Sequence, residues 1–138
     1  MAIRHAAAAL AAALFLVANL APLHVRAAGS TSDLLAAVNN VSTQSNKFRS
    51  LMSNISASQI HMVNVQSVMS DEGAYRKALH KNASDISDLR DTLNHTTVTG
   101  NDGVLITLRN LLLRQNITID RVTGVYVTAD GQITLFYQ

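Results

Sequence analysis

Histidine and aspartate are the side chains through which this chain could do acid–base or metal chemistry. Three histidines, His61, His80 and His95, lie beyond the N-terminal segment, and Glu72 is the one glutamate. A zinc hydrolase usually shows two histidines in a His-Glu-x-x-His motif, or combines histidine with cysteine. The sequence has neither this spacing nor any cysteine, so we predict no metal and no cofactor.

Serines are plentiful but lack the sequence surroundings that make a serine reactive. There is no Gly-x-Ser-x-Gly turn and no Ser-x-x-Lys pair, the motifs in which a strained turn or a neighbouring base activates the hydroxyl. We therefore predict no catalytic residue and favour a protein that is not an enzyme. A small hydrolase or metal-dependent enzyme, which brings one of the three histidines against an aspartate, is the alternative.

Asp85, Asp88 and Asp91 recur every three residues, and on a helix this spacing places their carboxylates on neighbouring turns. Calcium usually takes loop oxygens as well as carboxylates. Acidic residues in the first turns of a helix also stabilise its positive end. We interpret the three aspartates as structural.

The N-terminal segment has the three-part pattern of a cleavable secretory signal peptide. Arg4 gives a positive start, residues 6–18 are only Ala, Leu, Phe and Val, and Val25-Arg26-Ala27 ends in a small residue. The apolar run is shorter than the roughly 17 residues that span a bilayer. We predict a signal peptide over residues 1–27, cleaved between Ala27 and Ala28. The protein is then secreted or periplasmic, with no stable membrane span after processing.

The net charge of the chain comes from this predicted signal peptide. The whole sequence has 11 basic and 9 acidic residues, and removal of Arg4 and Arg26 leaves nine of each. The short basic cluster at residues 76–81 has only Tyr75 beside it for base stacking. We therefore expect no nucleic-acid partner.

The processed chain, residues 28–138, begins with a predicted amphipathic helix over 33–57. Its apolar residues form one stripe, and several of them recur every seven residues. A coiled coil also needs apolar residues at the interleaved positions, where Gln44 and Ser58 stand. We therefore expect the stripe to pack on the domain's own core, with weak self-association through helix 33–57 as the alternative. The seven-residue series is Leu34, Val41, Phe48, Ile55, Met62 and Met69.

The middle of the chain alternates between strand and helix patterns. Residues 61–68 suit a strand, although the seven-residue series would allow the helix to continue through them. Helices are predicted over 74–81, over 84–94 with Ser84 as its cap, and over 103–115. The last of these is expected to bury Val104 and Leu105, and Asn116 to end it in a left-handed conformation.

The C-terminal residues predict a β-hairpin with strands at 122–128 and 132–137. A two-residue Asp-Gly loop would mix polar and apolar residues on both faces of the hairpin. A three-residue loop with Gly131 in the left-handed position instead pairs Val127 with Ile133 and separates the two kinds of residue. We therefore predict the three-residue loop.

A hairpin alone is unstable in water, so the strand at 61–68 is the expected third member of the sheet. The sequence thus predicts one small α+β domain: an amphipathic N-terminal helix, then a small antiparallel sheet of about three strands with helices packed on it. No linker or repeat indicates a second domain.

Tyr126 and Phe136 are the candidate binding residues. In the predicted register both point to the otherwise polar face of the sheet, where aromatic side chains can hold a partner or ligand. The alternatives are that helix 33–57 covers them, or that they are good strand formers. We expect an exported, non-enzymatic protein of the bacterial periplasm or exterior that binds a protein or small ligand. A structural protein of the cell envelope that self-associates through helix 33–57 is the alternative.

Overall fold

The computed structural model describes residues 30–138, so the predicted signal peptide and its cleavage site at Ala27 and Ala28 lie outside the described residues. The described chain forms six α-helices and five strands. The helices are α1 (Thr31–Asn39), α2 (Val41–Leu51), α3 (Val65–Val68), α4 (Glu72–Lys81), α5 (Ala83–Asn94) and α6 (Leu108–Leu113). The strands are β1 (Ile60–Asn64), β2 (Thr97–Thr99), β3 (Leu105–Thr107), β4 (Val122–Val127) and β5 (Ile133–Tyr137).

The main sheet has three strands in the order β1-β5-β4, which confirms the α+β class. The direction of β1 differs from the prediction, because it runs parallel to β5, with Ile60 opposite Ile133, and the sheet is therefore mixed. β1 also ends at Asn64, whose side chain accepts a hydrogen bond from the Gln66 backbone N–H at 2.8 Å and begins the short helix α3. The predicted strand over 61–68 is thus half strand and half helix.

The hairpin of β4 and β5 has the predicted register. Val127 pairs with Ile133 and Val125 with Leu135, and three residues form the loop between Thr128 and Gln132. Gly131 has a φ of 86°, the left-handed conformation that this loop requires and that glycine adopts without strain.

The helix predicted over 33–57 is two α-helices that meet at Asn40, followed by a 3-10 turn at Met52–Asn54. Asn40 leaves the helical conformation, with a φ of −121°, and its side-chain Nδ2 donates to the Ala36 carbonyl at 3.1 Å. This competition of a short amide side chain with the helix backbone explains the break. Four residues of the seven-residue series lie in the domain's own core: Leu34, Val41, Phe48 and Ile55.

The prediction of a helix over 103–115 is wrong in its first half. Residues 105–107 form β3, which pairs antiparallel with β2 in a second sheet. The helix α6 begins only after Thr107, whose hydroxyl accepts from the Asn110 N–H at 3.1 Å. Val104 and Leu105 are therefore exposed and not buried.

The two central helices α4 and α5 agree with the sequence prediction. Asp71 caps α4 by accepting from the Ala74 N–H at 3.0 Å, and α5 begins one residue before Ser84, which does not cap it. Asn116 has a φ of 60°, the predicted left-handed stop. In the described part of the chain no helix is both long and apolar enough to cross a membrane.

Candidate functional site

The structure separates the two aromatic residues that the sequence placed together on an open sheet face. Phe136 is fully buried opposite Gly124. Helix α1 covers this end of the face, because a side-chain carbon at Gly124 would lie 3.2 Å from Cβ of Ala37. Tyr126 is partly exposed, so it can meet a ligand while Phe136 cannot.

Tyr126 lines an open groove of 540 Å³ between the first two helices and the hairpin. One wall is helical and the other is the end of β4 with the loop that follows it. The lining residues are Asp33, Lys47, Ser50, Leu51, Tyr126, Val127, Thr128, Ala129 and Gly131. We call this the Tyr126 groove.

The helical wall of the Tyr126 groove is positioned by hydrogen bonds within α2 and across to β4. Lys47 and Leu51 are four residues apart, so both side chains lie on one side of the helix. The Ser50 hydroxyl donates to the Lys47 carbonyl at 2.6 Å. One turn earlier, Gln44 Oε1 accepts the Val127 N–H at 2.9 Å. These bonds place Lys47 and Leu51 beside Tyr126.

The charges of the groove are unequally available to a ligand. Asp33 belongs to the capping box of α1: its carboxylate accepts from the Ser30 N–H at 3.4 Å, and its own N–H donates to the Ser30 hydroxyl at 3.2 Å. The positive helix end therefore offsets this negative charge. Lys47 is exposed and has no ion-pair partner within residues 30–138.

The chemistry that the Tyr126 groove offers is thus one ammonium group, one phenol and an apolar side chain from Leu51. The Tyr126 hydroxyl has no hydrogen-bond partner among the described residues. Such a set can hold an anion that carries an apolar or aromatic part. It contains no histidine that could serve as a general base for a nucleophile.

The three histidines lie in different environments. His61 Nε2 lies 2.8 Å from Gln132 Oε1, and His80 is exposed on α4. His95 Nδ1 donates to the Asp91 carbonyl at 2.8 Å and lies 3.7 Å from the Asp91 carboxylate, and both side chains are exposed. This contact lies at the end of α5. Residues 30–138 contain no group of three histidine or acidic side chains that could hold a metal ion.

A second cavity of 520 Å³ lies between α5, α6 and the turn before β4. It brings Arg90 and Asp91 of α5 together with Arg109 and Asp120, a grouping that no spacing in the sequence predicts. Arg90 Nε donates to the Val122 carbonyl at 2.8 Å. A hydrogen bond from Thr118 lowers the pKa of Asp120. Two cations face two carboxylates here, so the cavity favours neither sign of ligand.

Comparison with protein-family models, with curated proteins and with solved structures finds no match to this chain.

Proposed function

We propose that this chain is an exported protein that binds a small organic anion in the Tyr126 groove and performs no reaction on it. The observation that carries the proposal is the exposed Lys47 ammonium, without a partner among the described residues, beside the partly exposed side chains of Tyr126 and Leu51. A carboxylate, sulfate or phosphate group would contact Lys47, and an apolar or aromatic part would pack on Tyr126 and Leu51.

The groove is open, so binding is expected to be weak and readily reversible. The Lys47 charge is solvated, and solvated ion pairs contribute about 0.2–1 kcal/mol. Aromatic packing on Tyr126 adds about 0.5–1.5 kcal/mol. Together these contributions reach about 0.7–2.5 kcal/mol. A single small anion is therefore expected to bind with a dissociation constant of roughly ten to a few hundred millimolar. A natural ligand of larger area would bind more tightly.

Export is the second part of the proposal, and the sequence of residues 1–27 supports it. A positive start, a thirteen-residue apolar run and a small residue at Ala27 form the pattern of a secretory signal peptide. The processed chain would be secreted or periplasmic. It carries equal numbers of basic and acidic residues, and lacks cysteine.

The ligand half of the proposal is tested by titrating the purified chain with sodium benzoate and following the backbone amides by NMR. Benzoate joins an aromatic ring to a carboxylate, and benzyl alcohol is the matched neutral probe. We expect saturable shifts confined to residues 47–51 and 126–131 with benzoate, and weaker ones with benzyl alcohol. Absence of shifts, or shifts at another surface only, would refute the groove as the site.

Two substitutions and a matched control assign the binding to side chains. Lys47→Gln is expected to weaken benzoate about threefold without affecting benzyl alcohol, because only the charge contact is lost. Tyr126→Leu is expected to weaken both probes. Lys77→Gln, at an exposed lysine of α4 outside the groove, should change neither. Equal effects of Lys47→Gln and Lys77→Gln would show that the charge acts at long range only.

A further inference from the structure

The two most exposed large apolar residues of the described chain are neighbours at the start of β3, and a third lies on α6. Leu105 is 70% exposed, Val104 is 62% exposed and Leu113 is 43% exposed. None of these three side chains packs in the domain's own core. A cluster of exposed apolar residues on a small domain commonly marks a contact surface.

The backbone of β3 has one edge directed to β2 and one directed to solvent. The Gly100 N–H donates to the Val104 carbonyl at 2.8 Å, and the Leu108 N–H donates to the Thr96 carbonyl at 2.9 Å. In an antiparallel pair the bonded positions alternate, so residues 104, 106 and 108 face β2. Leu105 therefore directs both its N–H and its carbonyl away from β2.

The two outer edges of this small sheet differ in whether they are covered. On the β2 side, the Thr99 N–H donates to the Ile55 carbonyl at 2.9 Å. On the β3 side, the backbone of Leu105 has no hydrogen-bond partner within residues 30–138. An open edge of this kind accepts an added strand.

A cleft of 350 Å³ is lined by β3, by the turn before it and by α6, and we call it the β3 cleft. Its apolar lining comes from Ala57, Val104, Leu105, Ile106 and Leu111, and its polar lining from residues 100–102 and Arg114.

The two charged groups of the β3 cleft are not equivalent. The Asp102 carboxylate accepts the Val104 N–H at 3.0 Å and so stabilises the turn. The Arg114 side chain is exposed and has no hydrogen-bond or ion-pair partner in the described part of the chain. The cleft therefore offers its unsatisfied charge to an anion.

We propose that the open edge of β3 and the β3 cleft bind an extended peptide of a partner protein. The peptide adds as a third strand beside β3, and its main chain bonds with the N–H and carbonyl of Leu105. An apolar side chain of the peptide fills the cleft, and a carboxylate, from an acidic side chain or a C-terminus, contacts Arg114.

An extended peptide fits this surface better than a lipid surface does. The backbone groups of Leu105 need a donor and an acceptor spaced as in a strand, which a peptide supplies. A single free arginine gives little attraction to an anionic membrane, where each basic residue contributes modestly. The β3 cleft shares no residue with the Tyr126 groove, so this proposal is independent of the proposed function.

The test uses acetylated Ser-Thr-Val-Leu-Asp with an amidated C-terminus as the probe, with the purified chain followed by backbone-amide NMR. Three comparison peptides carry Asn in place of Asp with an amidated end, Asn with a free C-terminus, and an N-methyl group on the Leu amide. We expect saturable shifts at residues 103–107 and 111–114 from the parent peptide and from the Asn peptide with a free C-terminus. The neutral peptide is expected to bind about threefold more weakly, and the N-methylated peptide not at all.

Paired substitutions test whether peptide binding is specific to this surface. Leu105→Asn keeps the backbone groups but removes apolar lining of the cleft, so it is expected to weaken peptide binding. Leu113→Asn, which removes an exposed leucine outside the cleft, should leave binding unchanged. Arg114→Gln should remove the preference for a carboxylate, whereas Arg109→Gln, also outside the cleft, should keep it.

Several results would overturn the proposal. The first is the absence of shifts from all peptides, and the second is equal binding of the N-methylated and parent peptides. A third is a dimer by sedimentation that Leu105→Asn converts to monomer, because the edge would then serve a second copy. A fourth is binding to phosphatidylglycerol vesicles that Leu105→Asn removes while the peptides fail to bind.

Discussion

Gln44 Oε1 accepts the backbone N–H of Val127 at 2.9 Å in the buried space between α2 and β4. β4 is an outer strand of the main sheet, so this side chain takes the place of a neighbouring strand at that position. The same hydrogen bond holds α2 and β4, the two sides of the Tyr126 groove, next to each other. Lys47 lies one turn after Gln44, and Tyr126 immediately precedes Val127, so both reach the Tyr126 groove.

Replacing Gln44 with Leu should destabilise the fold although the side chain keeps its approximate size. The Val127 N–H would be left buried without an acceptor, which costs about 1–3 kcal/mol. Urea unfolding followed by circular dichroism measures the change. Gln115→Leu, at an exposed position, is the control and should lie within about 0.5 kcal/mol of the parent. Equal stability of the two variants would show that the Gln44 bond contributes nothing.

Gly124→Ala should also destabilise the protein, because the added carbon would lie 3.2 Å from Ala37 Cβ and 3.4 Å from Val38 Cγ2. Forcing α1 away from the sheet costs about 1–3 kcal/mol. At Gly73, in the first turn of α4, the nearest atom would be 3.6 Å away, and alanine should stabilise the helix by about 0.5 kcal/mol. Thermal unfolding of the two variants measures both changes in stability. An unchanged stability of Gly124→Ala would show that α1 can shift freely.

Tyr75 should make stability fall in alkaline solution. Burial raises the pKa of its phenol above the usual 10.0, against opposing effects of a Thr123 hydrogen bond and Arg90. A raised pKa means that the folded state favours the neutral phenol. This contribution to the free energy of unfolding is fully present below the pKa that Tyr75 has in the unfolded chain. It is lost as the pH rises through the pKa that Tyr75 has in the folded protein.

The parent protein should therefore lose more unfolding free energy between about pH 9 and about pH 11 than Tyr75→Phe does. At neutral pH the variant should be less stable, because the Tyr75 hydroxyl bonds Thr123 Oγ1 at 2.9 Å. Denaturant titrations across this range measure both effects. Parallel curves of unfolding free energy against pH for the two proteins would contradict the role assigned to Tyr75.

Expression of the full chain in a Gram-negative bacterial host tests export. We expect a periplasmic product whose intact mass corresponds to a chain that begins at Ala28. Leu14→Arg places a charge in the apolar run and should block export, whereas Ile3→Arg adds the same charge to the basic start and should not. A cytoplasmic, full-length product from the parent sequence would refute the signal-peptide prediction.

The parts of the fold that the sequence predicted are those determined by short-range patterns. The register of the hairpin followed from the alternation around Gly131, and the positions of α4 and α5 from the helical patterns over 74–81 and 84–94. The direction of β1 did not follow, because it depends on how the intervening helices return the chain to β5.

The candidate site was predicted only in part for the same reason. The Tyr126 groove needs residues from α1, α2 and β4, whose proximity no spacing in the sequence reveals. The face of Phe136 was expected to be open because its neighbours Thr134 and Gln132 are polar, yet Thr134 is fully buried. Val104 and Leu105 likewise fit the apolar stripe of a predicted helix. The Thr107 hydroxyl caps α6, so the helix begins after these two residues.

A crystal structure of the chain with benzoate tests the central claim most directly. The proposal predicts the carboxylate at about 2.7–3.2 Å from Lys47 Nζ and the ring packed on Tyr126 and Leu51. Benzoate bound at another surface, with the Tyr126 groove empty at saturating concentration, would contradict it.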